Sequence, residues 1–227
     1  SPPANTASPE ATKQKSLAGT RATALRSGNF PLSANIRYIA LFVYSQTMSQ
    51  HLSPDYLSKL ANDFGTPLYV YHAEKIKEQY EKLTTAFKNS NTVFFYACKA
   101  LTNINILKYI CSIGANVDCS SINEVKLALH AGFPNTRILY TSNGIAFSEI
   151  EEAVSLGVII NIDSISNLEK FGAKYGNTYP VGLRLRPNIM AGGNLKISTG
   201  HDKSKFGIPV DQINLIVDVV NKYDLRI

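Results

Sequence analysis

Lys99 is the one charged residue in the apolar run Val93-Phe-Phe-Tyr-Ala-Cys-Lys-Ala-Leu101. Stripping water from an ammonium is expensive, so lysine is rarely buried without a partner. Two readings fit a lysine at the C-terminal end of such a run. It marks where a strand meets solvent, the commoner case for an isolated lysine. Or it is a Schiff-base lysine, held partly neutral by apolar surroundings so that its amine attacks a carbonyl. Strand alternation places Phe95, Ala97 and Lys99 on one face, and Phe94, Tyr96 and Cys98 on the other. Further polar residues close similar runs downstream: Asp118, Tyr140 with Asn143, Asp163, and Arg184 with Arg186. Each alone reads as structural. Asp163 suits the start of a helix cap, Asn143 suits a turn, and the alternating arginines suit a charge pair with Asp118 or Asp163. Their recurrence at the same end of successive strands points to one shared mouth.

The elements that must carry these residues follow a repeat. Ser53-Pro54-Asp55 predicts a capped helix to about Phe64. Leu68–Tyr71 reads as a strand, and residues 74–89 have helical periodicity. From Val93 the unit is strand, small or polar tip, amphipathic helix. Strands are expected at 93–101, 115–119, 137–141, 158–163 and 180–186, with the first residues of another at 225–227. Helices are expected at 103–113, 121–131, 146–156, 166–175 and 210–222, the second capped by Ser120 or Ser121 with Glu124 following. Residues 187–207 form a long loop containing glycines. Strands alternating with helices of about ten residues argue for parallel βαβ units. Their near-continuous apolar character fits strands covered on both faces. No Gly-x-Gly-x-x-Gly follows the first strand, which disfavours a dinucleotide-binding sheet. The expected fold class is therefore α/β, a (β/α)8 TIM-type barrel. Such barrels take about 250 residues, and the 135 from Val93 to Ile227 predict one truncated after five to six strands.

Charge and composition exclude other classes. The net charge is +6, but residues 1–47 hold five of the basic side chains and one acidic one. The remaining 180 residues carry 18 basic and 16 acidic groups, with no basic run, so no nucleic-acid partner is expected. The three cysteines, Cys98, Cys111 and Cys119, form no CxxC pair. That fits reduced thiols in a cytoplasmic protein better than a disulfide framework or a zinc site. No apolar run reaches the roughly 20 residues that span a bilayer, so no membrane is expected. Residues 1–35 are rich in Ser, Ala, Thr and Pro and read as disordered. The run 36–44 fits a secretory signal poorly and a transit peptide better. The preferred reading makes Met48 the start and residues 1–47 a disordered or non-native extension.

Four segments together carry a resemblance. They are Phe95-Tyr-Ala-Cys-Lys-Ala-Leu, Asn116-Val-Asp-Cys-Ser-Ser-Ile-Asn-Glu-Val, Gly182-Leu-Arg-Leu-Arg-Pro-Asn, and Ala191-Gly-Gly-Asn-Leu-Lys-Ile-Ser-Thr-Gly-His-Asp-Lys-Ser-Lys-Phe-Gly207. From about Leu52 to Ile227 the chain resembles the diaminopimelate decarboxylases, pyridoxal-phosphate enzymes with an alanine-racemase-like barrel. The Tyr-Ala-x-Lys signature alone admits ornithine and arginine decarboxylases. The Lys-Ile-Ser-Thr-Gly and Ser-Lys-Phe-Gly segments favour the diaminopimelate branch.

The resemblance implies pyridoxal 5'-phosphate as cofactor and Lys99 as the lysine that bonds it. It implies Ala97 as a small residue beside the cofactor, and Asp118 and Arg184 as polar positions around it. The loop with His201 and Ser204 borders the substrate entrance; His201 as an acid competes with a merely solvated histidine. The implied reaction converts meso-2,6-diaminopimelate to L-lysine and carbon dioxide, in a homodimer acting on a small amino-acid substrate. Ornithine or arginine decarboxylation is the alternative within the fold, and a catalytically inactive fragment the alternative outside it. The implied domains are 48–72, a helix and strand that join a C-terminal β-domain, and 73–227, a partial cofactor-binding barrel. That β-domain, and with it a phosphate-binding glycine loop and a glutamate for the ring nitrogen, would lie beyond Ile227. The strand at 68–71 is then expected to have an unpaired edge.

Overall fold

The computed structural model describes residues 52–141, 143–189, 200–201 and 204–227, with the strand backbone at Lys15–Leu17, Thr20–Arg26 and Ile39–Ser45. The expectations placed on the rest of residues 1–51, including a start at Met48, lie outside the described residues, as do those on 190–199. The chain divides into two compact units, Ser1–Ala86 and Phe87–Ile227.

The first unit contains β1 (Lys15–Leu17), β2 (Thr20–Arg26), β3 (Ile39–Ser45), α1 (Pro54–Phe64), β4 (Tyr69–His72) and α2 (Ala73–Ala86). Ser53 caps α1 as its spacing predicts: its side chain accepts the Tyr56 amide at 3.2 Å. Leu60 is buried and gathers Leu52, Tyr56, Phe64, Leu68 and Val70 around it. Three of the described strands, β1, β2 and β3, lie within residues 1–47. Strand β3 lies parallel to β4, with Leu41 opposite Val70, and β4 ends the sheet order, so one of its edges has no strand neighbour among the described residues. The apolar run that reads ambiguously as a leader is rich in β-branched and aromatic residues, which suit a strand. An exposed strand edge presents unpaired backbone groups that such a segment satisfies.

The second unit repeats strand and helix. Its elements are β5 (Phe95–Ala97), α3 (Ile104–Ser112), β6 (Asn116–Cys119), α4 (Ile122–His130), β7 (Ile138–Thr141), α5 (Phe147–Ser155), β8 (Ile159–Ile162), α6 (Ile165–Tyr175) and β9 (Val181–Leu183). There follow β10 (Leu185–Arg186), β11 (Ile208–Pro209) and α7 (Ile213–Tyr223). Strands β5 to β9 form one parallel sheet in sequential order. Beyond β9, the Val181 amide donates to the Arg226 carbonyl at 3.0 Å, so Leu225–Ile227 begins where a sixth strand belongs.

Burial alternates along these strands and distinguishes the two faces. Val117, Cys119, Ile138, Tyr140, Ile160, Ile162 and Val181 are buried. The buried side chains of the helices, among them Val125, Ala128, Ile150, Ala153, Leu168 and Phe171, cover that face. Ala97, Asp118, Leu139, Thr141, Asn161 and Gly182 occupy the opposite face and are only half-buried. The expectation of strands covered on both faces is thus corrected. Helices on one side and an open inner side are the wall of a (β/α) barrel, not a doubly wound sheet. Gly172 lets α6 approach α7 closely, since a Cβ there would stand 2.5 Å from the Tyr223 ring. Among the described residues no helix is long and apolar enough to cross a membrane.

Candidate functional site

The open face of the sheet gathers polar groups at the C-terminal ends of its strands. Ala97 pairs in register with Asp118. The Thr141 hydroxyl donates to Asp118 Oδ1 at 2.7 Å, across from β7 to β6. Both partners are half-buried, so this is a fixed carboxylate that solvent still reaches. Thr141 is absent from the sequence-based candidates. Its signal was strand alternation, which puts it on the face of Leu139, the register partner of Asp118.

Lys99 does not lie on the strand itself. Strand β5 ends at Ala97, and Cys98–Ala100 form a single 3-10 turn. The Leu101 amide donates to the Cys98 carbonyl at 3.1 Å, and the Tyr96 hydroxyl donates to the Leu101 carbonyl at 3.2 Å. Asn103 then caps α3 through the Asn105 amide. The shared face with Phe95 and Ala97, and the apolar setting expected for the amine, are both corrected. Alternation stops where the turn starts, and Lys99 is exposed at the strand tip while Cys98 is buried. The position at the rim of β5, next to the end bearing Asp118, is the one expected.

Arg184 and Arg186 belong to different ladders. The Arg184 amide donates to the Ile162 carbonyl, and its own carbonyl accepts the Ile208 amide, both at 2.8 Å. It therefore joins the main sheet to the parallel pair β10–β11. Its guanidinium lies over the Phe206 ring, 4.6 Å from the centroid. Arg186 donates to Asn188 Oδ1 at 3.0 Å and to the Ser204 carbonyl. The charge pair expected for these arginines is replaced by these contacts. Ser204 is buried, and its hydroxyl accepts the Phe206 amide at 3.2 Å. The Ser204 amide in turn donates to the His201 carbonyl at 3.0 Å. Gly207 has φ +77°, and a Cβ there would meet Arg184 O, Arg186 N and Leu185 C at 3.1 Å. The Ser-Lys-Phe-Gly segment thus has a mechanical meaning: it docks the end of the loop on two arginines.

Three candidates contribute differently. Tyr140 points beneath the helices and is fully buried. Its hydroxyl makes no well-formed hydrogen bond, and burial first, then the Glu149 carboxylate, push its phenol above the ordinary range. Asp163 is buried, and the α6 cap is its neighbour Ser164, whose hydroxyl accepts the Asn167 amide. Asn143 is half-buried in the turn after β7. At the other end of the strands, Arg137 Nε donates to Asn116 Oδ1 at 3.1 Å and its guanidinium lies over Phe133. That cation ties strand starts together.

The donor set at the open face fits pyridoxal phosphate. A primary amine stands at the rim, a hydroxyl-fixed carboxylate on the next strand, and the small side chain of Ala97 lies in register beside that carboxylate. Such an aldehyde cofactor needs an amine to hold it and polar groups to orient it.

Comparison with known proteins agrees. Residues 73–227 match the family "Pyridoxal-dependent decarboxylase, pyridoxal binding domain". The diaminopimelate decarboxylase of Methanothermobacter thermautotrophicus is 38% identical over 152 residues, covering 66% of this chain and 36% of that protein. The crystal structure of diaminopimelate decarboxylase from Helicobacter pylori complexed with L-lysine superposes with a TM-score of 0.68 at 30% identity, covering 75% of this chain and 44% of that one. The arginine decarboxylase of Paramecium bursaria Chlorella virus has a TM-score of 0.64 at 20% identity, a likeness of fold alone. The chain spans less than half the length of these relatives. Its motifs, its one-sided parallel sheet and the match over most of its length lead to one assignment: the chain belongs to the pyridoxal-dependent decarboxylases, of which it carries the pyridoxal binding domain.

Proposed function

We propose that the protein carrying this chain removes one of the two carboxylates of meso-2,6-diaminopimelate as carbon dioxide, a proton takes its place, and L-lysine results. The observation that carries this reading is the grouping of the Lys99 turn, Ala97 and the Asp118–Thr141 pair at one end of paired strands. Bound pyridoxal phosphate supplies an electron sink for the pair left behind when carbon dioxide departs. Lys99 would supply the amine that holds the cofactor. Asp118, kept in one orientation by Thr141, presents a negative charge beside it. Ala97 keeps the floor low, and Arg184 adds a cation whose backbone is locked between two ladders. His201 and Ser204 border the substrate entrance, with Ser204 acting through the loop contacts it makes to Arg186 and Phe206. Residues 73–227 form the cofactor-binding barrel portion, and 48–72 join a β-domain. The protein works as a cytoplasmic homodimer on a small amino acid, without nucleic acid or membrane.

Identity on superposition favours diaminopimelate: it is 30% with the Helicobacter pylori diaminopimelate decarboxylase against 20% with the arginine decarboxylase. The test is turnover of meso-diaminopimelate, ornithine and arginine by the full-length protein, followed as released carbon dioxide. Turnover of diaminopimelate at least tenfold above the other two is expected, with none in Lys99→Ala. Preference for ornithine or arginine, or activity surviving the substitution, would overturn the assignment.

A further inference from the structure

Cys98 and Cys119 are fully buried, and their sulfurs lie within 4.8 Å of each other. They come from the turn after β5 and the last residue of β6. The Glu124 carboxylate completes a triangle: one ligand atom from each of the three residues lies within 4.8 Å of the other two. Glu124 sits in the first turn of α4, and its Oε2 accepts the Ser120 amide at 2.7 Å, which aims it at the end of β6. Nothing in the decarboxylation uses this cluster, which lies on the helix-covered side of the sheet.

Two sulfurs and one carboxylate are the ligand chemistry of thiophilic divalent cations. Around a tetrahedral ion with metal–sulfur bonds of about 2.3 Å, adjacent ligand atoms stand roughly 3.5–3.8 Å apart, inside the 4.8 Å within which these three atoms lie. The carboxylate beside the two sulfurs is a ligand that a disulfide would leave unused. We propose that Cys98, Cys119 and Glu124 bind a thiophilic divalent cation of the zinc class, which pins the turn bearing Lys99 to β6 and α4. Both sulfurs are buried, and half-buried Glu124 is the route in. On loading, two S–H bonds break, two metal–sulfur bonds form, and two protons leave to solvent. No electron is transferred, and the fourth position is left for water or another small ligand.

The test uses reduced, metal-free full-length protein, titrated with zinc and separately with cadmium, whose thiolate bonds give an ultraviolet charge-transfer band. One ion per chain is expected, with two protons released per ion in weakly buffered indicator solution. Cys98→Ala and Cys119→Ala should each lose the cadmium band, and affinity should fall by more than the roughly 10–100-fold that losing an outer-shell partner costs. Glu124→Gln should keep the band, because both thiolates remain, and bind at least about tenfold more weakly. Cys111→Ala should match the unaltered protein. Circular dichroism of each variant checks folding, and the Glu124→Gln result stands even if a cysteine variant fails to fold. No stoichiometric ion, unchanged affinity in Glu124→Gln, or a Cys98–Cys119 disulfide forming while cadmium is ignored would each overturn the proposal.

Discussion

Replacing Thr141 by valine tests whether the open face is organised around Asp118. The substitution keeps the shape of the side chain and removes the hydroxyl that donates to Asp118 Oδ1 at 2.7 Å. A hydrogen bond to an ionised group contributes about 1.5–3 kcal/mol. Both residues are half-buried, so water takes over part of the donor's role, and a net loss of about 1–2 kcal/mol is expected. If Asp118 must be held to receive the cofactor, that loss appears as a roughly 5–30-fold weaker affinity for pyridoxal phosphate. The assay is an absorbance titration of the stripped full-length protein, beside a thermal melt. Thr141→Ser keeps a donor at the same place and should recover most of the affinity. Wild-type affinity in Thr141→Val, or an equal loss in Thr141→Ser, would refute the role given to this bond.

Two further substitutions probe what positions the face. Gly172→Ala places a Cβ within 2.5 Å of the Tyr223 ring, so α6 and α7 must part; a loss of about 1–3 kcal/mol should show as a lower urea midpoint with little change in cofactor affinity. Gly207→Ala meets backbone on three sides and holds φ +77°, so it should free the loop from Arg184 and Arg186 and raise the KM for substrate more than it lowers the melting temperature. A third prediction concerns α2, where Glu78 lies between Lys75 and Lys82 and its carboxyl is lowered to about 2 by the Lys82 and then the Lys75 hydrogen bonds. A depressed carboxylate stabilises the fold above its ordinary range and ceases to as pH falls through about 2. The pair network is exposed, so the acid-side loss should be small, present at low salt and absent in Glu78→Gln.

The repeating order of the second unit was legible because each strand is a short apolar run followed by an amphipathic helix. Ser53 in the first unit and Ser121 in the second accept the amides their spacing predicts. The fate of Lys99 was less legible. Alternation assumes that a strand continues, and the Tyr96–Leu101 and Leu101–Cys98 bonds that end it involve no turn-forming residue type. Arg184 posed a similar problem. Leu183-Arg-Leu-Arg186 reads as one strand, but Gly207 brings β11 against its second half and divides the ladder. Tyr140 and Asp118 show the limit of reading strand ends as a ring. They are separated in space by the period-two alternation: Tyr140 lies in register with Cys119 and under the helices, while Asp118 faces the open side. The partner of β4 was hidden because its apolar run, 36–44, also has the character of a leader segment.

The central claim is that Lys99 is the amine that holds the cofactor. The direct measurement is borohydride reduction of the full-length protein loaded with pyridoxal phosphate, followed by peptide mass spectrometry. A single pyridoxyl label on Lys99 is the predicted result. A label on any other lysine, with Lys99 unmodified, would contradict the account.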